Sequence, residues 1–208
     1  MRTKSVLAGA AVALACVLST SASAAVVSFY GARENVTPIV GVPGGRCGAQ
    51  ITVSISPGNL SSTGTSNFGG FSSTQSHCIA GPPPNPFTDG LFEYVFESGD
   101  TLFGTYTGAV TATATPGFFD AVENLLITGG TGDFLNATGA LTSSGGLSFG
   151  MVDGVRVSIF EGQITGSIDA PGIPEPESWA LMIAGFGAVG AVLRRRCKPA
   201  FGAPRWMA

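Results

Sequence analysis

Two neighbouring stretches decide the fold: LFEYVFE at residues 91–97 and LFGTYTGAVTATAT at residues 102–115. Both place apolar side chains at alternate positions, which is the period of a β-strand with one buried face. Further alternating runs occur at Gln50–Ser56, Val155–Phe160 and Gln163–Ile168. No helical period of 3.6 residues is sustained across residues 25–169, so the pattern predicts an all-β domain built from antiparallel strands.

A glycine-rich stretch later in the chain refines this prediction. LLITGGTGDFLNATGALT (Leu125–Thr142) predicts a strand, a tight turn at Gly129–Gly130 and a returning strand, because glycine adopts the positive φ that such turns need. With FEGQITG at residues 160–166, it resembles the GGTGxFxxATG signature of dirigent and allene oxide cyclase proteins, which are eight-stranded β-barrels. The resemblance implies a β-barrel in preference to a β-sandwich, and it carries no catalytic residue across.

The first 24 residues have the parts of a secretory signal peptide. Arg2 and Lys4 precede an apolar run at Val6–Leu18, and Ala22 and Ala24 fit the small-residue rule for cleavage. The apolar run is shorter than the roughly 20 residues that a membrane span needs. We therefore predict cleavage after Ala24 and export of the chain from Ala25 onwards.

The exported part is predicted to be one domain at residues 25–169, which is long enough to bury a single core. Within it, Ser and Gly dominate Asn59–Pro86, and the run Gly81-Pro82-Pro83-Pro84 interrupts any strand. This composition predicts a loop-rich region at 57–90. A Pro-rich linker is predicted at 170–178.

The chain continues as PEPESWALMIAGFGAVGAVLRRR at residues 174–196. Trp179–Leu193 is a run of fifteen uncharged residues, which predicts a transmembrane helix at 179–193 with membrane lipid as its partner. Such a helix is about 22 Å long, so it spans a roughly 30 Å hydrocarbon core only if its flanks reach into both interfaces. A basic tail at 194–208 begins with the predicted cytoplasmic membrane stop, formed by Arg194, Arg195 and Arg196.

The order of these parts resembles the PEP-CTERM sorting signal of Gram-negative bacteria in its PEPxxWA form. The matching parts are the Pro-Glu-Pro triplet, a Trp-Ala pair, a glycine-rich apolar helix and an arginine cluster. The resemblance implies processing by an exosortase, delivery to the cell surface and association with exopolysaccharide. By the same resemblance, the recognition residues are Pro174, Glu175, Pro176 and Trp179.

The two cysteines of the exported part are predicted to form a disulfide. Cys47 and Cys78 are its only cysteines, and exported pairs generally oxidise. The alternative is a metal site that adds His77 to the two thiolates, but a fourth ligand with recognisable spacing is missing. A structural cross-link is the favoured interpretation.

Charge excludes one class of partner. Between residues 25 and 174, three basic residues stand against eleven acidic ones, which gives a net charge of −8. A domain with this balance repels nucleic acid, so no nucleic-acid partner is expected.

The search for catalytic residues yields little. His77 is the only histidine of the chain, and the domain has no lysine. Ser148 lies in a GxSxG pattern, but no histidine comes after it to act as a base. We therefore expect a non-enzymatic surface or matrix protein without a cofactor.

Two other functions stay open, and a barrel enzyme is less favoured than either. The first is a binding module for a small apolar ligand or a glycan, with aromatic contacts from Phe92, Tyr94, Phe96, Tyr106 and Phe118. The second is an ice-binding surface, suggested by the alternating row Thr111, Thr113 and Thr115.

Overall fold

The computed structural model describes residues 25–39, 42–43, 45–55, 60–170 and 176–196. The strands are β1 (Ala25–Pro38), β2 (Val42–Pro43), β3 (Ile51–Ile55), β4 (Ser61–Ser66), β5 (Gly69–Ile79), β6 (Pro86–Phe96), β7 (Thr101–Ala112), β8 (Phe118–Gly130), β9 (Thr138–Val152) and β10 (Val155–Ala170). Short 3-10 turns occur at Gly45–Cys47 and Gly132–Phe134, and helix α1 spans Pro176–Arg196. The predicted all-β class with one C-terminal helix is confirmed.

The strands close into a barrel. Every pairing is antiparallel, and the order β4-β1-β10-β9-β8-β7-β6 is closed because β5 pairs with both β4 and β6. The ring therefore has eight strands. Strand β3 extends it by pairing with the second half of β5, and β2 pairs with β3. Ring closure decides the fold as a barrel rather than a sandwich.

The register defines two ends of the barrel. Ala25 pairs with Ala170 at one end of the β1–β10 pair, and Pro38 pairs with Val157 towards the other. The first end is filled by buried side chains, and we call it the packed end. The second contains a cavity, and we call it the open end. Because β10 finishes at the packed end, the chain leaves the barrel there on its way to α1.

The packed end owes its density to aromatic side chains on the inward positions of the strands. Phe134, from the turn between β8 and β9, lies 4.8 Å from the Phe96 ring and 5.4 Å from the Phe68 ring, measured between centroids. Phe68 in turn stacks on Phe29 at 5.7 Å. Each buried aromatic ring removes a large apolar area from water, and edge-to-face pairs add directional attraction. Buried aromatic rings therefore fill the interior at this end of the barrel.

The loop-rich region predicted at 57–90 is wrong for most of its length. Among the described residues of that region, β4 and β5 are complete strands and β6 begins at Pro86. Strand β5 is buried on alternate positions, at Phe71, Ser73 and Gln75. Small polar residues concealed the strand, because a Ser or Gln that points into the barrel breaks the apolar alternation without breaking the strand.

The turn predicted at Gly129–Gly130 is also wrong. Both glycines belong to β8 and pair with Phe103 and Leu102 of β7. The chain reverses later, where Gly132 and Asn136 take positive φ angles of 58° and 60°. Gly130 is needed for close approach, since a Cβ there would lie 2.5 Å from the carbonyl oxygen of Thr101.

Helix α1 contains the whole predicted segment 179–193, so the helix itself is confirmed. Within the part of the chain that the structure describes, no helix has the length and apolar character needed to cross a membrane. The predicted transmembrane span at 179–193 is therefore not supported, and the lipid partner stays a prediction.

Candidate functional site

A buried ion pair lies at the middle of the barrel interior. The Arg33 guanidinium of β1 donates from Nη2 to Glu123 Oε2 of β8 at 2.6 Å, and both side chains are almost fully buried. Burial by itself lowers the pKa of Arg33, but the charge and hydrogen bond of Glu123, together with Tyr94 and Tyr106, outweigh this and raise the pKa above its ordinary value. Arg33 is therefore charged, and Glu123 is the counter-ion that makes its burial tolerable.

Other inward side chains surround this pair. Arg33 Nη1 donates to Tyr94 Oη at 3.4 Å, and the guanidinium carbon lies 4.8 Å from the centre of the Phe160 ring. Gln75 Nε2 donates to Glu123 Oε2 at 3.5 Å and accepts at Oε1 from Asn35 Nδ2 at 3.3 Å. The middle of the barrel is thus a connected polar layer with no net charge.

The glycines that pair with and lie beside Arg33 make room for buried rings and for close strand packing. Arg33 pairs with Gly64 on one side and Gly162 on the other, and Gly162 pairs with Gly145. A Cβ at Gly64 or Gly162 would collide with a buried phenylalanine ring, and one at Gly145 would collide with the backbone of β10. The row of glycines therefore leaves space for the Phe71 and Phe160 rings and for the close approach of β9 to β10.

Beyond the polar layer, the open end holds a cavity of about 400 Å³. A volume of this size is typical of small-molecule sites. Most of its wall is aliphatic or aromatic, with contributions from Ile51, Val53, Ile55, Ile79, Phe87, Val110, Leu147 and Phe149. Glu123 and Asn35 of the polar layer form its inner limit. The cavity is an apolar chamber with a few polar groups at defined places.

His77 and Tyr106 form a neutral pair beside the cavity. His77 Nδ1 lies 2.7 Å from Tyr106 Oη, and His77 lines the chamber. Burial lowers the pKa of His77 to about 4, and the charges of Arg46 and Arg33 act in the same direction. Burial also raises the pKa of Tyr106 well above its ordinary value. At neutral pH both groups are therefore uncharged.

A polar corner lies on the β1–β10 side of the chamber. Thr37 pairs with Ser158, and both residues line the cavity with Arg156. The Thr37 hydroxyl is buried and has no hydrogen-bond partner among the residues that the structure describes. Arg156 is exposed at the mouth, where its carbonyl accepts from the Ile39 amide at 2.9 Å. Sequence reasoning missed this corner, although inward alternation along β10 from Phe160 to Arg156 was available as a signal.

The disulfide predicted between Cys47 and Cys78 is present, with the two Cα atoms 5.5 Å apart. It joins the 3-10 turn before β3 to strand β5. Since β3 supplies one apolar wall of the cavity, the cross-link holds that wall against the barrel. Both thiols are used in this bond, so the alternative metal site with His77 is not formed.

The aromatic residues predicted as ligand contacts do not line this cavity. Phe92, Tyr94, Phe96 and Tyr106 are buried in the core, where they pack against other aromatic rings. Phe118 is 55% exposed at the start of β8. These side chains stabilise the barrel and leave the apolar contacts to other residues.

The threonine row predicted for ice binding is not a regular ladder. Strand β7 ends at Ala112, so Thr111 is in the strand while Thr113 and Thr115 lie in the turn after it. The Thr113 hydroxyl donates within that turn to the carbonyl oxygen of Phe118 at 2.9 Å. The three hydroxyls therefore do not project from one flat face.

The predicted sorting residues are only partly within the described chain. Pro176 and Trp179 lie in the first turn of α1, and the three arginines of the predicted membrane stop form its end, with Arg194 exposed. Pro174 and Glu175 lie outside the described residues, as do the predicted signal peptide with Ala22 and Ala24 and the tail beyond Arg196.

Comparison with known proteins gives one informative match. No curated protein matches the chain. The solved structure of the pterocarpan synthase dirigent protein GePTS1 is 14% identical, with 73% of this chain and 91% of that chain covered, and its TM-score of 0.20 is too low to support a conclusion. Residues 172–196 match the model of the PEP-CTERM protein-sorting motif. This chain therefore carries a PEP-CTERM sorting motif, in the segment where Pro174, Glu175, Pro176 and Trp179 indicated one.

Proposed function

We propose that the chain is an exported protein directed to the cell surface by an exosortase, with the barrel as its working part. The sorting motif at 172–196 carries this proposal. The signal peptide predicted at residues 1–24 supports it, because a sorting motif at the cell surface requires export. The disulfide also supports it, since such bonds form and persist in oxidising compartments.

The test is the mass of the mature protein in its native host, with and without the exosortase gene. We expect a product that starts at Ala25 and ends near residues 174–177 when the enzyme is present, and one that extends past α1 when it is absent. A Pro174→Ala/Pro176→Ala variant should behave like the deletion strain, whereas Ser178→Ala, a matched change within the same segment, should be processed normally. The same C-terminus in both strains would contradict the proposal.

We further propose that the processed protein is retained in exopolysaccharide and does not act as an enzyme. The absence of enzymatic activity is supported by the contacts of Glu123 and His77, the two groups best placed for proton transfer. Glu123 is paired with Arg33, and His77 is hydrogen-bonded to Tyr106. Retention predicts that a strain lacking exopolysaccharide releases the protein into the medium. Equal retention in that strain would contradict the association.

A second candidate function is the binding of a small, largely apolar ligand, and the cavity at the open end favours it. The test is the shift in melting temperature across a panel of apolar molecules and sugars. We expect shifts with apolar molecules, loss of those shifts in Ala121→Leu, which fills the cavity, and their retention in Ala140→Leu on the exposed face of β9. Recovery of the ligand unchanged is expected of a binding protein, and the absence of any shift would refute this function.

A further inference from the structure

The basic residues of the barrel domain are concentrated at its interior and its open end. The domain has only Arg33, Arg46 and Arg156 among its 25–174 residues, against eleven acidic groups. Arg33 is paired to Glu123 at the inner limit of the cavity, and Arg156 lines the cavity itself. Arg46 donates to the Ser76 carbonyl at 2.6 Å, on the strand that carries His77. Two of the three cations of an acidic domain therefore lie at the chamber or at its inner limit, and Arg46 lies outside its lining.

Of these three cations, Arg156 is the one available to a ligand. Glu123 neutralises Arg33, and Arg46 is held by two hydrogen bonds to Ser76. The Arg156 guanidinium forms no ion pair within the described residues, and its side chain is exposed at the mouth. An exposed cation at the rim of an apolar chamber favours an anion that enters from solvent.

The groups next to Arg156 fit the same ligand. Thr37 lines the cavity, and its buried hydroxyl has no partner within the described ranges, so it is a hydrogen-bonding group that these residues leave unused. Thr37 is cross-strand to Ser158, which shares the inward face of β10 with Arg156. The Ser158 hydroxyl donates to the Thr37 carbonyl oxygen at 3.4 Å, so the corner offers a guanidinium and the Thr37 hydroxyl as donors that suit a carboxylate.

The rest of the chamber sets the orientation of the ligand. A neighbouring wall is formed by the aliphatic side chains of β3, which favour an apolar body. The inner limit is Glu123, whose charge is already matched by Arg33, so a second anion is disfavoured there. We propose that the open end binds a small apolar molecule with one carboxylate, its apolar part inward and its carboxylate on Arg156. This inference rests on the proposed binding function of the cavity.

Two matched probes test separately whether the cavity binds an apolar molecule and whether it prefers one with a carboxylate. Binding of 4-phenylbutyrate and of 4-phenylbutan-1-ol to the full chain is measured by calorimetry, for the native protein, Arg156→Gln and Arg46→Gln. We expect the acid to bind more tightly than the alcohol. We expect Arg156→Gln to weaken binding of the acid about tenfold, as for the loss of a charge-assisted hydrogen bond, with the alcohol unchanged and Arg46→Gln close to native.

The NMR resonances of the His77 ring report where the probes bind, because His77 is the only histidine of the chain and it lines the cavity. Both probes should shift its ring resonances in the native protein. If neither probe binds, the cavity function itself fails. If acid and alcohol bind equally to the native protein and to Arg156→Gln, ligand binding stands and the carboxylate preference is refuted. Binding of the acid without a change at His77 would place it elsewhere and would equally overturn the inference.

Discussion

The two ends of one barrel use the same strands for opposite purposes. At the packed end, the inward positions carry large aromatic rings, and Phe134 fills the middle by packing against Phe68 and Phe96. At the open end, the inward positions of the same strands carry Thr37, Ser158 and Ala121, and a chamber of about 400 Å³ remains. Along the barrel axis, large inward side chains stabilise one end, and small inward side chains leave a cavity at the other.

The layer between the ends makes this separation tolerable. Arg33 and Glu123 neutralise one another between the packed end and the cavity, so the chamber ends on a neutral polar layer. A closed barrel has no unpaired strand edge, and its backbone hydrogen bonds do not depend on a filled interior. An incompletely filled end is therefore compatible with a stable fold.

The largest effect is expected from breaking the layer. Glu123→Gln leaves the charged Arg33 buried without a counter-ion, which costs about 3–5 kcal/mol of unfolding free energy. Arg33→Met/Glu123→Met removes both charges and should recover most of that loss. Denaturant unfolding measures both variants. A loss below about 1 kcal/mol in the single variant would mean that the layer does not stabilise the barrel.

Truncating a phenylalanine tests the two ends directly. Phe96→Ala should cost about 3–5 kcal/mol, because Phe96 is 3% exposed and its removal opens a void among packed rings. Phe149→Ala at the mouth should cost about 1 kcal/mol, since a residue that is 38% exposed loses less burial. Thermal and urea unfolding of both variants measures the difference. Equal losses would remove the distinction between the ends.

The disulfide is expected to matter for the open end more than for the packed end. Cys47→Ser/Cys78→Ser releases a loop that spans 31 positions in sequence, which costs about 3–4 kcal/mol by the chain-entropy estimate. Hydrogen exchange should rise most in β3, the wall that the cross-link holds. Reduction of the native protein is the matched control. A uniform rise in hydrogen exchange throughout the barrel would contradict the proposal that the disulfide holds β3 in place.

The pH dependence of His77 gives the smallest of these effects. The unfolded residue takes up a proton as the pH falls through 6.5, whereas the folded residue stays neutral until about pH 4. Stability is therefore lost between these values, by up to about 3 kcal/mol relative to a group that does not titrate. Unfolding of the native protein and of His77→Gln, compared at intervals from pH 7 to pH 4, measures this difference. Parallel curves would show that His77 is not buried in its neutral form.

Prediction from the sequence succeeded where it depended on a simple pattern, such as apolar alternation or a pair of cysteines. The alternation in β6 and β7 predicted both strands, and the two exported cysteines predicted their bond. It failed where the inward face was polar. Strand β1 carries Arg33 and Asn35 inward, and β5 carries Ser73 and Gln75, so neither strand showed the expected period.

By itself, the sequence determined the all-β class, the disulfide partners and the sorting segment, because each depends on local pattern or on a short ordered motif. Only the tertiary structure decided ring closure, the union of Arg33 with Glu123 ninety positions away, and the cavity with Arg156 at its mouth. These features arise from the register of strands that are distant in sequence. The alternation along a strand indicates which side chains face inward. Only the closed barrel determines which residues of other strands they contact there.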